Sequence, residues 1–328
     1  MNVYEKFKKA TLKAKTIVIT THLMPDADGL GSAVALALAL ETQGKKVTCV
    51  NEESLLSRYA YLDPDKHIIS VDEYLLNQNN TLPDLLIVVD TNSLHRTGEK
   101  VQKFASGIPE ILYIDHHPCS KDVMLKHCID TTKAATGELV GELIRSIGVS
   151  LNYEMALPLY TAILIDTSSF RYPTVSGNTH RLIGALMDAG VAPPHAYNKI
   201  YGTKKITYMK LLGEVLSSAN ATPNGEIAWI ILREKKLQEF NVDHEDTHAF
   251  INNLLILDNI QVAIMFKEMG STVKVSLRSL GIVDVGKIAK VLGGGGHDHS
   301  AATLINGDIN DVVQRTISTV QDCLKTLE

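Results

Sequence analysis

The chain has 328 residues, a length that suits two domains of ordinary size, and 45% of them are hydrophobic against 21% charged, enough apolar material for a sizeable core. A formal net charge of -5 excludes a broad basic surface for long duplex nucleic acid, but leaves room for a local phosphate pocket. The charged start MNVYEKFKKATLKAK has no apolar signal-peptide core, no run of about 18 apolar residues marks a membrane span, and Cys49, Cys119, Cys128 and Cys323 show no CxxC spacing, so reduced thiols in the cytoplasm are expected.

Taken in chain order, β-branched Thr16–Thr20 reads as a first strand ending at Thr21-His22. A turn follows over Leu23-Met24-Pro25-Asp26-Ala27-Asp28-Gly29, and Gly29 to Glu41 is an apolar helix that Gly44 stops. Lys46 to Val50 is a second strand, Leu85 to Val89 a third with Asp90 at its end, and Ile111 to Ile114 a fourth. Helical patterns cover Thr136 to Ile147, Tyr153 to Ile165 with Asp166 at its end, and Asn178 to Ala189. Strands alternating with helices predict βαβ units and a mostly parallel sheet over residues 1–191.

From Ala192 the character changes. Pro193-Pro194 opens a short helix and Thr203 to Ala219 a longer polar one, so 192–220 reads as a helical linker. Beyond it lie a strand from Glu226 to Leu232, a hairpin of Ile260 to Lys267 and Thr272 to Leu280, and a short helix from Asp284 to Leu292. Four glycines (Gly293 to Gly296), the segment His297-Asp298-His299-Ser300 and a last helix from Ile309 to Leu327 complete a smaller α/β domain, 221–328.

The chemistry gathers at element ends. Ile114-Asp115-His116-His117-Pro118 places an acid and two imidazoles where a buried strand stops, the position at which open α/β sheets carry their sites. Acidic ends recur at His22-x-x-x-Asp26-x-Asp28, Asp90 and Asp166. Asp28, Asp90 and Asp166 can each be read as a plain helix cap, but carboxylates this close repel when ionised and a dication relieves them. His22, Asp26, Asp28, Asp90, His116 and Asp166 make six candidate ligands, too many for one closed zinc site and suited to two ions sharing a carboxylate. Mixed oxygen and nitrogen donors favour manganese or magnesium, with cobalt also admitted. Two such ions roughly 3.5–4 Å apart clamp a phosphoryl group and activate water.

These segments resemble the DHH phosphoesterase family, named for the Asp-His-His found here at Asp115 to His117. The resemblance implies two manganese ions with Asp90 as bridge, His22 and Asp26 on one ion, and Asp28, His116 and Asp166 on the other. Asp115 and His117 are then catalytic groups beside the ions rather than ligands, an acid orienting an imidazole. Leu277-Arg278-Ser279 followed by Gly293 to His297 is similar to the DHHA1 domain that accompanies the DHH domain in one subfamily, and extends the likeness over nearly the whole chain. It implies an active site in the interdomain cleft, with Ser276, Arg278, Gly294, Gly295, Gly296, His297 and His299 holding the nucleotide. Arg96 is a further candidate phosphate contact. Where many relatives carry small residues after the glycines, this chain has Asp298-His299, which puts an acid and an imidazole close to the expected ligand.

The expected activity is metal-dependent hydrolysis of very short single-stranded RNA, linear dinucleotides or 3′-phosphoadenosine 5′-phosphate to nucleoside monophosphates. A cyclic-dinucleotide phosphodiesterase is the alternative. A pyrophosphatase is disfavoured because its Ser-Arg-Lys-Lys stretch is missing, and a non-enzymatic nucleotide sensor because every ligand position is filled. No membrane partner is expected, and the sequence is compatible with a homodimer.

Overall fold

The computed structural model describes residues 2–77, 81–202, 204–296 and 298–325, with 244–246 described by their backbone alone. His297, one of the expected substrate contacts, lies outside the described residues. The chain divides into two compact units, Met1–Thr203 and Lys204–Glu328.

The first unit runs α1 (Val3–Lys13), β1 (Thr16–Thr20), α2 (Ala27–Thr42), β2 (Lys46–Asn51), β3 (Ile68–Ser70), α3 (Val71–Asn77), β4 (Leu85–Val89), α4 (Glu99–Ala105), β5 (Ile111–Asp115), α5 (Lys121–Lys126), β6 (Cys128–Ile129), α6 (Thr136–Ser146), α7 (Tyr153–Asp166), α8 (Gly177–Asp188) and α9 (Pro193–Tyr201). Among the described residues six strands form one sheet in the order β3-β2-β1-β4-β5-β6, and every pair is parallel. Central strands of such a sheet are covered on both faces, which is why β4 reads Leu-Leu-Ile-Val-Val without a polar residue. Ile17, Ile19, Ile87 and Val89 meet α2, α6 and α7 on one face, while Val18, Leu86 and Val88 meet Tyr74 of α3 and Phe104 of α4 on the other.

Helix α2 is apolar almost all round and almost entirely buried, as a helix inside a core must be. It begins at Ala27 rather than Gly29. The cap is Asp26, whose Oδ1 accepts from the amides of Asp28 (2.9 Å) and Gly29 (3.4 Å), so the first turn starts two residues earlier than the glycine signal suggests. Helices α2 and α7 approach so closely that a Cβ at Gly31 would stand 2.4 Å from the Pro158 carbonyl oxygen.

The second unit comprises α10 (Ile206–Ser217), β7 (Asn220–Ala221), β8 (Ile227–Leu232), α11 (Glu234–Phe240), a 3-10 segment over His244–Ile256, β9 (Val262–Met269), β10 (Thr272–Ser279), α12 (Val285–Val291), β11 (Gly295–Gly296), β12 (Ser300–Asn306) and α13 (Ile309–Lys325). Its mixed sheet has the order β11-β12-β10-β9-β8-β7, with β8 and β9 parallel and the remaining pairs antiparallel. Helices α12 and α13 cover one face of this sheet, and α10, α11 and the 3-10 segment cover the other. Among the described residues no helix is long and apolar enough to cross a membrane.

The close approach at Gly31 gives a test of the packing that holds the first unit. Gly31→Ala should cost about 2 kcal/mol in urea denaturation, because the nearest atom is main chain and cannot swing aside. A stability within experimental error of the parent would show that α2 and α7 are not locked at this distance.

Candidate metal centre

The functional side chains of the first unit stand at the carboxyl ends of three adjacent strands, β1, β4 and β5. His22 follows β1 and Asp26 and Asp28 open α2; Asp90 follows β4; Asp115 is the last residue of β5 and the two histidines follow it; Asp166 closes α7. Asp90 adopts a left-handed conformation (φ 60°), which ends β4 abruptly and is tolerated by aspartate better than by most residues.

Asp90 is 4% exposed and its two oxygens face different partners. Oδ2 lies 3.4 Å from His22 Nε2, and Oδ1 lies 3.9 Å from His116 Nε2 and 3.8 Å from His117 Nδ1. His116 Nε2 is also 3.3 Å from Asp166 Oδ2 and 4.0 Å from Asp28 Oδ2. Three overlapping groups therefore offer ligand atoms within 4.8 Å of one another: His22, Asp26 and Asp90; Asp28, His116 and Asp166; and Asp90, His116 and His117. All six residues expected as ligands come together here.

The backbone sets the direction of the imidazoles. His22 Nδ1 lies 2.9 Å from the Leu23 carbonyl and His116 Nδ1 3.2 Å from the Lys133 carbonyl. Each Nδ1–H donates to its carbonyl, so each ring turns Nε2 toward the carboxylates. His117 is held differently, with Nδ1 2.5 Å from Asp115 Oδ1, while the amide group of Asn92 donates to Asp115 Oδ2 at 2.8 Å. Asp115 is fully buried and acts on His117.

Several contributors escaped the sequence reading. Thr136 and Glu138 fit a helix start in the sequence, with no chemical role, and Gly137 does not stand out; in the structure the amides at the head of α6 donate to Asp28, Thr136 N to Oδ2 and Gly137 N to Oδ1, both at 2.8 Å. The N-cap of α6, Ala135, has no side chain to offer, and Asp28 caps the helix from across the core. Asp28 thus does cap a helix, though a different one from the helix it was expected to start. The Thr136 hydroxyl also donates to Asp90 Oδ1 at 2.9 Å.

Electrostatics test the fit of a cation. Burial raises the Asp26 and Asp28 carboxyls, and the charge of Asp90 raises both further. Asp166 is pushed up to about 6, chiefly by burial, with the charges of Asp90 and Asp26 adding and His116 opposing. Of these four acids Asp90 is the one lowered: burial works against it, but the His22 hydrogen bond and the charges of His117, His22 and His116 prevail. Burial would lower His22, yet the hydrogen bond and charge of Asp90 and the charge of Asp26 carry it to about 9. In the ion-free protein, protons hold together acids that repel, a task a divalent cation performs better. The donor set, carboxylate oxygen with imidazole nitrogen and no thiolate, fits a hard or borderline divalent ion.

The expected substrate contacts of the second unit are spread along β10, β11 and β12. Ser276 is a buried residue of β10, between Met265 of β9 and Ala302 of β12. Arg278 is half-buried on the same strand, its Nη1 donating to the Leu277 carbonyl at 3.0 Å. The glycine run is partly committed: Gly293 N and Gly294 N donate to the Lys290 and Ala289 carbonyls that end α12, and a Cβ at Gly294 would stand 2.3 Å from the Ala302 carbonyl oxygen. The amide of Gly294 is thus used by the helix end. Gly295 and Gly296 pair with Ala302 and Ala301. His299 Nδ1 lies 3.1 Å from the Ser279 hydroxyl, and the Asp298 carbonyl accepts from Val285 N at 2.7 Å. In the first unit Arg96 is exposed, and its carbonyl accepts from Leu23 N at 2.5 Å, tying the loop after β4 to the His22 turn.

Two family models match the chain: DHH family, N-terminal domain, over residues 16–163, and DHHA1 domain over residues 226–326. The bifunctional oligoribonuclease and PAP phosphatase NrnA of Thermus thermophilus is 29% identical over 310 residues, which cover 93% of this chain and 89% of that protein. The probable bifunctional oligoribonuclease and PAP phosphatase NrnA of Streptococcus mutans is 31% identical over 301 residues, 89% of this chain and 91% of the relative. The crystal structure of an exopolyphosphatase-related protein from Bacteroides fragilis matches with a TM-score of 0.87 at 25% identity, over 98% of this chain and 95% of that one.

Two measurements probe the centre. Thr136→Val keeps the shape and the amide to Asp28 but removes the donor to Asp90, and should weaken Mn2+ binding or turnover about 10- to 100-fold; parent-like values would show that this hydroxyl does not orient Asp90. Mn2+ affinity should also rise with pH. Below about 9 the His22 proton must leave for the ring to bind an ion, and below about 6 the Asp166 proton must leave as well. Proton release per Mn2+, measured by calorimetry in buffers of different ionisation heat, should therefore grow as pH falls through about 6. An affinity that is flat from pH ~5.5 to ~8 would contradict this coupling.

Proposed function

The chain belongs to the DHH family of phosphoesterases and carries a DHHA1 domain behind the DHH domain, and on that premise we propose that it hydrolyses short nucleotides to nucleoside monophosphates. The substrates are very short single-stranded RNA, linear dinucleotides and 3′-phosphoadenosine 5′-phosphate. The oligoribonuclease and PAP phosphatase names borne by relatives that align over about nine-tenths of the chain support this class. The net charge of -5 supports a short ligand over a long duplex. Four free cysteines are consistent with a cytoplasmic setting.

The observation that carries the reading is the arrangement of Asp90. One of its oxygens faces His22 and the other His116, between two donor sets that share no residue, His22–Asp26–Asp90 and Asp28–His116–Asp166. This supports a pair of divalent ions that the two donor sets would hold, with Asp90 facing both and Mn2+ the first choice. Ions held there supply Lewis acidity: they lower the pKa of a water and offset charge on the phosphoryl oxygens.

The protein residues do the rest. Asp90 sets the separation of the two donor sets, and Thr136 and the head of α6 fix Asp90 and Asp28. Asp115, itself fixed by Asn92, holds the His117 ring by its Nδ1. His117 beside Asp90 then offers its other nitrogen to a phosphoryl oxygen or the departing group. Arg278, Ser276, Gly295, Gly296, His297 and His299 of the second unit, and Arg96 of the first, are proposed to hold the nucleotide. Gly294 beside them is proposed to shape the same site, its approach to Ala302 leaving no room for a side chain.

A substrate panel with Mn2+ tests the reading. Initial rates on a linear dinucleotide and on 3′-phosphoadenosine 5′-phosphate should exceed those on the cyclic counterpart of the dinucleotide. Preferred turnover of the cyclic compound would make the protein a cyclic-dinucleotide phosphodiesterase, and pyrophosphate hydrolysis without nucleotide turnover would overturn the substrate class.

A further inference from the structure

Helix α7 delivers Asp166 at its last residue, and the chain then makes an uncommon turn. Ser168, Ser169 and Phe170 all adopt left-handed conformations, with φ of 49°, 65° and 65°. None is glycine, asparagine or aspartate, so each carries the steric penalty of a Cβ facing its own carbonyl. Successive strained residues persist only where neighbours over-determine them, and such places cluster at functional sites.

The bracing is visible. The Thr167 hydroxyl donates to the Ile163 carbonyl at 2.6 Å and accepts from Phe170 N at 2.9 Å. Ser169 N returns to the Leu164 carbonyl at 2.8 Å, and the Phe170 ring lies 5.5 Å from the ring of His180. The strongest tie comes from Arg171. Its Nε donates to the Ser168 carbonyl at 2.8 Å and its Nη2 to the Ser168 hydroxyl at 2.9 Å, two charge-assisted bonds closing on the first left-handed residue. Two residues before Ser168, Asp166 Oδ2 stands 3.3 Å from His116 Nε2.

We propose that Arg171 is a positioning residue for the reaction: its guanidinium locks the left-handed turn Ser168–Phe170 and thereby fixes the direction in which Asp166 leaves α7. The role rests on the metal-centre reading above. It differs from the one an arginine near a phosphoesterase centre invites, a grip on the substrate phosphate, because two of its donors are already committed to Ser168.

The test uses the full chain with Arg171→Ala, Arg171→Lys and the double variant Arg171→Ala/Ser168→Gly. Its readouts are the Mn2+ dissociation constant, the melting temperature of the ion-free protein, and kcat and KM on a linear dinucleotide. R171A should weaken Mn2+ binding and lower kcat by about 10- to 100-fold with KM nearly unchanged. R171K should recover little, since an ammonium cannot make both bonds in the plane of the guanidinium. Adding S168G to R171A should restore Mn2+ affinity and kcat to within a few-fold of the parent, because glycine holds the left-handed conformation without a brace.

A raised KM with Mn2+ affinity intact and no rescue by glycine would assign Arg171 to the substrate and overturn the proposal. So would parent-like behaviour of R171A. Should R171A fail to fold, the double variant is still expected to fold and bind Mn2+, and its failure too would count against the brace. A parent protein with no Mn2+ affinity would remove the metal centre itself, an outcome separate from a parent that binds Mn2+ and an R171A that does so equally well.

Discussion

Mutual repulsion among buried carboxylates is the constraint around which the first unit is built. Asp28, Asp90 and Asp115 are each at most 4% exposed, and Asp26 and Asp166 stand beside them. No fold gains stability by collecting acids in this way; a buried charge is tolerated only when hydrogen bonds and opposite charge surround it. The sheet meets the requirement by ending three neighbouring parallel strands at one place, which lets main-chain donors, a helix head and three imidazoles converge on the acids. Asp28 has two amides of α6, Asp115 the Asn92 amide, and Asp90 the Thr136 hydroxyl and His22. What these donors leave uncompensated shows as carboxyls pushed above their usual range, and it is the part a divalent cation answers.

Much of the fold was legible because its core strands are buried on both faces. β1, β4 and the hairpin of β9 and β10 read as apolar or β-branched runs, and the helices α2, α6, α7 and α8 carry glycine or acidic punctuation. The misses have physical reasons. β3, β6 and β11 have three, two and two residues, too few for any periodicity. β12 reads Ser-Ala-Ala-Thr-Leu-Ile-Asn, weak in strand propensity, and is held in place by its pairing with β10 along its whole length. The 3-10 segment over His244–Ile256 has no regular apolar period to announce it.

At the site the same division appears. His22, Asp26, Asp28, Asp90, His116 and Asp166 stood out as candidates because a metal ligand must be a particular side chain. Thr136, Gly137, Asn92 and the carbonyls of Leu23 and Lys133 did not, since they act through main-chain groups almost any residue carries, or through one hydroxyl or side-chain amide among many. In the second unit the glycine run was read as backbone amides open to an anion, and in the structure a Cβ at Gly294 would meet the Ala302 carbonyl oxygen. Sequence could not name Ala302 of the neighbouring strand as that contact.

Conformational strain shows how the centre is made stiff. Among the described residues, eight that are not glycine have positive φ, and five of them lie in segments that carry the proposed ligands: Met24 between His22 and Asp26, Asp90 itself, and Ser168, Ser169 and Phe170 behind Asp166. Regular elements explain the concentration. A strand alternates its side chains across the sheet and a helix spreads them every hundred degrees, so neither can aim neighbouring donors at a single point. Each segment that carries a proposed ligand therefore breaks its element within a residue or two of that side chain. The break costs backbone energy that regular hydrogen bonding elsewhere in the unit offsets, and in return the ligand's direction is set by main chain rather than by a freely rotating side chain. A centre held in this way keeps its shape as protons and ions exchange, which chemistry on a phosphoryl group demands of acids that would otherwise separate.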